Sequence, residues 1–294
     1  MMLLHKLDVD AEEVNKMTTQ TTHRPKLGWF LTDTVSIAKR HVIKITRVPE
    51  SLFFALIQPV MFVLLFAYVF GGAINVGANG AQSYREFLIP GIFAQTVMFA
   101  VAGITIGITE DSTKGIMDRF RSLPMRPGAV LAGHTFASLV QNVLVLFVLS
   151  ITGLAVGWRI HTGLGKAFVG YFVLALFAYA MTWVGAWIGL HMPNAEVAGT
   201  AGLAWIFPLT FASNIFTPIA TMPGWLQPIA LWNPVSCLAL AARESFGNPT
   251  PAMGSSFPEQ HAVAMCLIYG LVILAIFVPL AVRRYKTRNS IGAA

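Results

Sequence analysis

Residues 110–126 read EDSTKGIMDRFRSLPMR and separate two long apolar runs. A chain that crosses a bilayer as helices of about 20 residues must leave the lipid between two such runs. Gly115 and Pro124 flank a short stretch of this break that has one apolar and one polar face, which predicts a helix with defined ends. A helix with two faces at a membrane surface can lodge its apolar side in a partner's groove. The break therefore predicts a docking surface, and a basic anchor resting on lipid headgroups is the alternative.

The composition of the chain indicates an integral membrane protein. Of its 294 residues, 55% are hydrophobic and only 11% are charged, whereas soluble domains carry about 25% charged residues. The net charge is +7, but Lys and Arg lie at the ends of apolar runs, as the positive-inside rule predicts. This placement argues against a nucleic-acid partner. Cys237 and Cys266 lie in or beside apolar segments, and we expect buried free thiols there.

Six apolar runs are long enough to cross a bilayer as helices. They are Ser51–Phe70, Phe87–Thr109, Ala129–Val156, Ala167–Leu190, Val197–Phe216 and Val263–Val282. With six spans, both termini lie on one side together with the charged break. Of the 20 Lys and Arg residues, only four would then lie on the other side, namely Arg85, Arg159, Lys166 and Arg243. The expected fold is an all-α integral protein of the cell membrane with both termini cytoplasmic.

The two ends of the chain differ from the predicted spans in composition. Residues 1–26 mix acidic and basic residues without an apolar run, which predicts a disordered cytosolic tail. Met17 is an alternative site at which translation could start. Residues 27–48 alternate apolar and polar residues at helical spacing, which predicts an amphipathic helix lying on the membrane. Trp29 marks its interfacial character, and its polar face carries Arg40, Lys44 and Arg47. Residues 283–294 predict a basic cytosolic tail.

The stretch over 217–243 is apolar but rich in residues that break helices. It contains Pro218, Pro223, Pro228, Pro234, Trp225 and Trp232. Proline interrupts a helix, Trp prefers the membrane interface, and broken backbone at membrane depth must be shielded by protein or line a wet cavity. An outer re-entrant helical hairpin is the favoured interpretation, and an ordinary outer loop remains open.

The sequence offers no chemistry of its own for energy coupling or catalysis. Of the 13 acidic residues, none falls in the middle of a predicted span, although ion-coupled carriers need such groups. The nearest match to a phosphate-binding loop, Gly163-Leu-Gly-Lys166-Ala, lacks the hydroxyl and the spacing. No spacing suggests a metal site. A membrane transferase or a self-sufficient channel is therefore disfavoured, and energy from a separate ATPase is expected.

Uncharged polar residues inside the predicted spans are candidates for a substrate path. They are Gln58, Gln95, Gln141, Asn142 and Asn214. An apolar wall with few hydrogen-bonding groups suits an amphipathic, largely neutral cargo. Such residues also join helices to one another in membranes, and this structural interpretation is the stronger of the two.

Two stretches carry a family resemblance. Residues 110–133, EDSTKGIMDRFRSLPMRPGAVLAG, resemble the cytoplasmic coupling loop of type-2 ABC exporter permeases, and the string GIMDRFRSLPM is closest to the daunorubicin-resistance branch. Between Asn214 and Glu244, the strings IFTP, MPGWLQPIA, NPVS and AARE resemble the outer re-entrant segment of the same family. The resemblance covers about residues 27–288.

The resemblance implies a specific assembly and a specific division of the chain. Two permease subunits, copies or paralogues, would rest on a dimer of cytosolic ABC ATPases that binds ATP and Mg, while this chain binds no cofactor. The implied transmembrane domain comprises a connecting helix (27–48), spans one and two (51–109), a coupling loop (110–127), spans three to five (129–216), an outer segment (217–243) and span six (263–282). The implied cargo is an amphipathic drug or lipid moved out of the cytoplasm or inner leaflet, with polysaccharide export as the alternative.

The resemblance also assigns roles to particular residues. The residues implied in ATPase coupling are Glu110, Asp111, Gly115, Ile116, Arg119, Phe120, Arg121 and Pro124. The connecting helix would contact the ATPase near Trp29, Arg40, Lys44 and Arg47. The residues implied in an outer gate are Pro218, Pro223, Trp225, Pro234, Arg243 and Glu244.

Overall fold

The computed structural model describes residues 34–39, 43, 49–70, 81–121, 127–250 and 256–287. Several predictions fall outside the described residues and stay predictions. They concern the tail over 1–26, the end of the basic tail over 288–294, Trp29, Arg40, Lys44, Arg47 and Pro124.

Every regular element in the described ranges is a helix, which confirms the predicted all-α class for that part of the chain. The first six helices are α1 (Pro49–Leu65), α2 (Ala81–Thr113), α3 (Ile116–Arg121), α4 (Pro127–Val156), α5 (Leu164–Gly189) and α6 (Ala195–Ala204). The next five are α7 (Ile206–Phe211), α8 (Gln227–Trp232), α9 (Pro234–Phe246), α10 (Phe257–Gln260) and α11 (Ala262–Thr287). A wider helical turn, Phe66–Phe70, extends α1, and a 3-10 turn, Ile219–Thr221, precedes α8. Residues 34–39 are also helical.

Four of the described helices, α2, α4, α5 and α11, are long and apolar enough to cross a membrane. They correspond to four of the six predicted spans. The other two predicted spans correspond to shorter apolar stretches, Ala55–Val69 and Ala195–Phe211. The six-span count therefore stays a prediction.

The fifth predicted span is interrupted. The run Val197–Phe216 forms two helices, α6 and α7, with a break at Trp205. Pro208 has no backbone N–H, so it cannot donate to the carbonyl of Ala204 in the preceding turn. The sequence pattern missed the break because the run stays apolar throughout, and apolar content is the signal that identifies a span.

Helix α2 lies at the centre of the bundle and packs against α4, α5, α6 and α9. Of an 18-residue apolar stretch of α2, 83% is buried by the rest of the chain, whereas the corresponding share for α11 is 17%. The exposed side chains of α11 include Ile268, Leu271 and Val272. A helix so apolar and so little covered by its own chain fits a lipid environment.

The close approach of α5 to α2 depends on Gly185. A Cβ at this position would lie 2.5 Å from Cγ2 of Ile104 and 2.8 Å from the carbonyl oxygen of Val101. The hydroxyl of Thr105 donates to the carbonyl of Val101 in its own helix at 2.8 Å and shares this hydrogen with the carbonyl of Gly185 at 3.2 Å. One turn later, the hydroxyl of Thr109 is shared in the same way between the carbonyls of Thr105 at 2.8 Å and Gly189 at 3.0 Å. Small residues and hydroxyl bonds of this kind join helices where lipid removes the hydrophobic driving force between them.

The helices define two ends of the bundle. The Met117 end, named after a buried residue of α3, holds the last residues of α2, α5 and α11 and the first residues of α4. The Trp158 end, named after the buried Trp158 that follows α4, holds the opposite helix ends. Lys and Arg are concentrated at the Met117 end, where the described ones are Lys39, Lys114, Arg119, Arg121, Arg283, Arg284 and Lys286. This asymmetry has the polarity that the sequence predicted for the cytoplasmic side.

Both cysteines are free and buried, as the sequence predicted.

Replacing Gly185 by leucine is expected to destabilise the bundle. The new side chain would overlap Ile104 and the backbone of α2, and overpacking of this kind costs about 1–3 kcal/mol. Thermal unfolding in lipid nanodiscs measures the effect, and Gly165→Leu is the matched control because a Cβ at Gly165 meets nothing within 4 Å. Equal melting temperatures for the two variants would contradict the close α2–α5 contact.

Candidate functional site

Gly115 joins the long helix α2 to the short helix α3. Its φ of 68° lies in the left-handed region, which glycine adopts readily because it has no Cβ. Its N–H donates to the carbonyl of Ser112 at 3.3 Å, and its carbonyl accepts from the N–H of Arg119 at 3.2 Å. Lys114 and Gly115 are thus the two residues that separate the end of α2 from the start of α3.

Met117 anchors α3 to the rest of the bundle. Its side chain is buried, and its carbonyl accepts a hydrogen bond from the hydroxyl of Tyr285 in α11 at 3.4 Å. Around it lies the Met117 cluster, a set of buried apolar residues from α2, α4, α5 and α11 that includes Ile104, Trp183 and Ala281. Sequence reasoning did not single out Met117, because nothing in the sequence indicates which helix ends meet at this point.

The outward side of α3 carries residues that the sequence assigned to coupling. Arg119 is exposed, and Ile116 is partly exposed. Phe120 and Arg121 are helical, and their side chains lie outside the described part of the structure. With Met117 buried, α3 has one side packed on the bundle and another on which Arg119 is exposed.

The two acidic residues at the end of α2 have different partners. Glu110 forms an ion pair with Lys114 one turn later, with 3.0 Å between Oε2 and Nζ. Asp111 is buried, and its Oδ2 lies 3.2 Å from Nε2 of His134 in α4, which is also buried. The Asp111–His134 contact therefore lies between the end of α2 and the start of α4, beside α3.

The helical segment over 34–39 packs against the same region. Ile37 and Ala38 are buried. A Cβ on Gly133 would lie 2.6 Å from Cβ of Ile37, so only glycine permits this contact. The segment, part of the predicted connecting helix, therefore lies against α4 one residue before His134.

A cavity of about 520 Å³ lies between α1, α2 and α4. Four of the five polar residues predicted for a substrate path line it: Gln58, Gln95, Gln141 and Asn142. Glu110, Asp111 and His134 line its end near α3. The fifth residue, Asn214, is not among the lining residues.

Asn214 instead belongs to a buried network centred on Arg243. The guanidinium of Arg243 is completely buried. Its Nε donates to the carbonyl of Phe87 at 2.7 Å, and its Nη2 donates to the carbonyls of Asn214 and Ile215, each at 3.0 Å. It also lies over the ring of Phe87, with 3.7 Å from Cζ to the centroid. Arg243 thus holds the backbone that follows α7 against the central helix α2.

Gly91 provides the space for this network. A Cβ at Gly91 would lie 2.9 Å from the carbonyl oxygen of Ile215 and 3.0 Å from Nη2 of Arg243. Any larger residue would push the guanidinium away from its acceptors.

Two residues of the NPVS motif complete the connection. The side-chain amide of Asn233 donates to the carbonyls of Leu209 at 2.6 Å and Ala212 at 2.9 Å. Its Oδ1 accepts from the N–H of Val235, which caps the start of α9. The hydroxyl of Ser236 accepts from the N–H of Asn214 at 3.0 Å. We call Asn233, Ser236 and Arg243 the α7 clamp, since together they bind backbone groups at and beyond the end of α7.

The other residues predicted for an outer gate lie at or near the surface. Pro218 precedes the 3-10 turn, Pro223 precedes α8, and Pro234 is the first residue of α9. Trp225 is 71% exposed. Burial raises the pKa of the Glu244 carboxyl, and the positive potential of His261 opposes this shift. Arg243 differs from this group, since it is buried among backbone carbonyls and has no exposed surface.

Comparison with known proteins places the fold in a family. A profile of the ABC-2 type transporter family matches residues 32–246, which include the charged break, the cavity and the α7 clamp. The chain belongs to the ABC-2 type transporter family. No cluster of three or more His, Cys, Asp or Glu residues suited to a metal ion occurs among the described residues.

Curated relatives of this ABC-2 family member align over most of its length. The daunorubicin resistance ABC transporter permease protein DrrB1 of Streptomyces coeruleorubidus is 32% identical, over 91% of this chain and 90% of that protein. The putative transport permease ycf38 of Cyanophora paradoxa is 24% identical, over 85% of this chain and 86% of that protein. The probable doxorubicin resistance permease DrrC of Mycobacterium tuberculosis (strain CDC 1551 / Oshkosh) is 21% identical, over 76% of this chain and 80% of that protein.

Removing the guanidinium of Arg243 is expected to destabilise this ABC-2 family member strongly. In Arg243→Met, the carbonyls of Phe87, Asn214 and Ile215 lose a donor, and each buried group left unsatisfied costs about 1–3 kcal/mol. The unfolding free energy in detergent should fall by about 3 kcal/mol or more, and Arg243→Lys should recover only part of it, because a lysine lacks the planar fork.

Arg159→Met is the control for this experiment. Arg159 lies at the same end of the bundle and is exposed, so its loss should cost less than about 1 kcal/mol. Unchanged stability of Arg243→Met would contradict the structural role of the α7 clamp.

Proposed function

We propose that this chain is the membrane-spanning permease subunit of an ATP-driven exporter. The chain would cross the cell membrane six times with both termini in the cytoplasm, and would pair with a second permease, a copy or a paralogue. A dimer of cytosolic ABC ATPases would bind ATP and Mg. The observation that carries the proposal is the geometry of α3, which is fixed to the bundle through Met117 and presents Arg119 outward at the basic end.

The contacts around α3 support a mechanical route from an ATPase to the spans. Gly115 connects α3 directly to α2. The Asp111–His134 contact connects the end of α2 to α4, and Ile37 packs on α4 at Gly133. A movement of α3 driven by closure of the ATPases would therefore displace α2 and α4 together, and these two helices form two of the three walls of the cavity.

The proposed cargo is an amphipathic drug or lipid. The cavity is largely apolar with a few amide groups, which suits such molecules. It also lies between helices that α3 would move. Finally, relatives are named for resistance to daunorubicin and doxorubicin. In this mechanism the cargo leaves toward the outer leaflet, past the proline- and tryptophan-rich segment over 217–243.

The proposed docking is tested by co-purification from native membranes in mild detergent. We expect the tagged chain to recover an ATPase with a phosphate-binding loop, and a second permease if the pair is heteromeric. Reversing the charge of α3 in Arg119→Glu/Arg121→Glu should lower the recovered ATPase and its ATP hydrolysis at least tenfold, because the docking surface would become acidic.

The control reverses two cations at the opposite end of the bundle, in Arg159→Glu/Lys166→Glu. This variant should retain the ATPase, since those residues lie at the Trp158 end. Recovery of a folded chain without any ATPase, or equal recovery with both double variants, would refute docking through α3.

The direction of transport is tested separately with inside-out membrane vesicles. Radiolabelled daunorubicin is a suitable first cargo, given the relatives. Export from the cytoplasm predicts ATP-dependent accumulation in vesicles with the wild-type chain and none with Arg119→Glu/Arg121→Glu. Accumulation without ATP would point to a channel or carrier.

A further inference from the structure

The cavity between α1, α2 and α4 is lined by a polar group that has no hydrogen-bond partner in the described part of the chain. Gln95 is 2% exposed, and neither Oε1 nor Nε2 of its side chain has a hydrogen-bond partner among the described residues. A buried amide left unsatisfied costs free energy, so such groups in native proteins call for a ligand or an ordered water molecule. Gln95 lines the cavity, so a ligand group that reached its buried amide would find both a donor and an acceptor.

Further neutral polar groups face the same space. Gln58 belongs to α1, and Gln141, Asn142 and Ser138 belong to α4. We call Gln58 and Gln95 the amide belt; Ser138, Gln141 and Asn142 follow His134 in α4 by four to eight residues and lie nearer to α3. The belt contains no ionised side chain, so a charged group placed there would lose its hydration without gaining an opposite charge.

The part of the cavity between the amide belt and α3 is lined by small residues of α2. A Cβ on Gly103 or on Gly107 would meet nothing within 4 Å, so both glycines face open space. Beyond them, Glu110, Asp111 and His134 form the polar end. Gln95 and Asp111 lie about 24 Å apart along α2, at about 1.5 Å per residue. The cavity is therefore long, its α2 wall is apolar between two polar levels, and Ser138, Gln141 and Asn142 of α4 face that wall.

We infer that this cavity is a binding site for an elongated amphiphile whose apolar part carries an uncharged hydroxyl or carboxamide group. That group would donate to Oε1 and accept from Nε2 of Gln95, and the apolar part would lie along Gly103 and Gly107. Gln95 is the residue that determines specificity, because a ligand without such a group leaves its amide unsatisfied. That the ligand is cargo rests on the exporter proposed above, whereas binding itself requires neither an ATPase nor a second subunit.

A matched pair of probes tests the site on the purified full chain in copolymer-bounded lipid nanodiscs. The probes are 1-pyrenebutanol and 1-pentylpyrene, which differ by a terminal hydroxyl in place of a methyl group. Energy transfer from the tryptophans of the chain to pyrene reports binding, and nonspecific partition into lipid gives a linear, non-saturable background. We expect saturable binding of 1-pyrenebutanol and about tenfold weaker binding of 1-pentylpyrene, the equivalent of one hydrogen bond.

Gln95→Leu isolates the contribution of the amide. Leucine is similar in size and removes a polar group that has no partner in the described part of the chain, so the melting temperature should stay equal or rise. The variant should bind the two probes equally. A preserved tenfold preference would show that Gln95 does not recognise the hydroxyl.

Gly103→Leu places a side chain in the cavity at a position where a Cβ meets nothing within 4 Å. Leucine also favours a helix over glycine by roughly 0.8 kcal/mol, so this variant should fold at least as well as the wild type and bind neither probe saturably. Gly107→Leu is a second variant of the same design. Gly165→Leu, whose Cβ also meets nothing within 4 Å but which lies outside the cavity, should bind both probes like the wild type.

The outcomes separate this inference from the proposed function. Absence of saturable binding in the wild type, or unchanged binding in Gly103→Leu, overturns the site even if an ATPase co-purifies through α3. Saturable binding that is lost in Gly103→Leu supports the site even if no ATPase is recovered, and in that case the exporter proposal fails alone.

Discussion

The α7 clamp satisfies the constraint on which the rest of the fold depends, namely that backbone polar groups away from water need hydrogen-bond partners. The stretch of chain directly after the end of α7 at Phe211 is not helical. Its carbonyls therefore accept no hydrogen bond from a following helical turn. Arg243 and Asn233 bind these carbonyls, and Ser236 binds an N–H. Because Arg243 also binds Phe87, the irregular segment is fixed to α2, the helix around which the bundle is built.

An arginine suits this position for a physical reason. Its planar guanidinium presents several N–H donors in fixed directions and is less strongly hydrated than an ammonium group. Three backbone carbonyls and the face of Phe87 surround it. The partial negative charges of these groups stabilise the guanidinium cation. The hydrogen bonds of Arg243 also connect three parts of the chain that are distant in sequence.

The Met117 end combines rigid contacts with one point of articulation. Met117 and Tyr285 join α3 to α11, and Asp111 lies against His134 of α4. Lys114 and the left-handed Gly115 are the two residues between α2 and α3. The cavity begins at the same acidic residues that lie beside α3. The surface proposed to receive force and the space proposed to receive cargo therefore share Glu110 and Asp111.

The sequence by itself determined the helical class, the apolar runs, the charged break and the polarity of the bundle, because these follow from local composition and from the cost of placing charge in lipid. It also identified Gln58, Gln95, Gln141 and Asn142 as the polar residues of interest. Only the tertiary structure decided that these four line one cavity while Asn214 joins Arg243, since helices far apart in sequence come together there. The break at Trp205 and the anchoring role of Met117 were likewise hidden, because apolar content does not reveal how helix ends meet. The sequence placed Arg243 on the outer side and in a predicted outer gate, and it did not indicate that the residue is buried. A charged side chain is expected to be solvated unless packing brings hydrogen-bond acceptors to it, and here those acceptors are carbonyls distant in sequence.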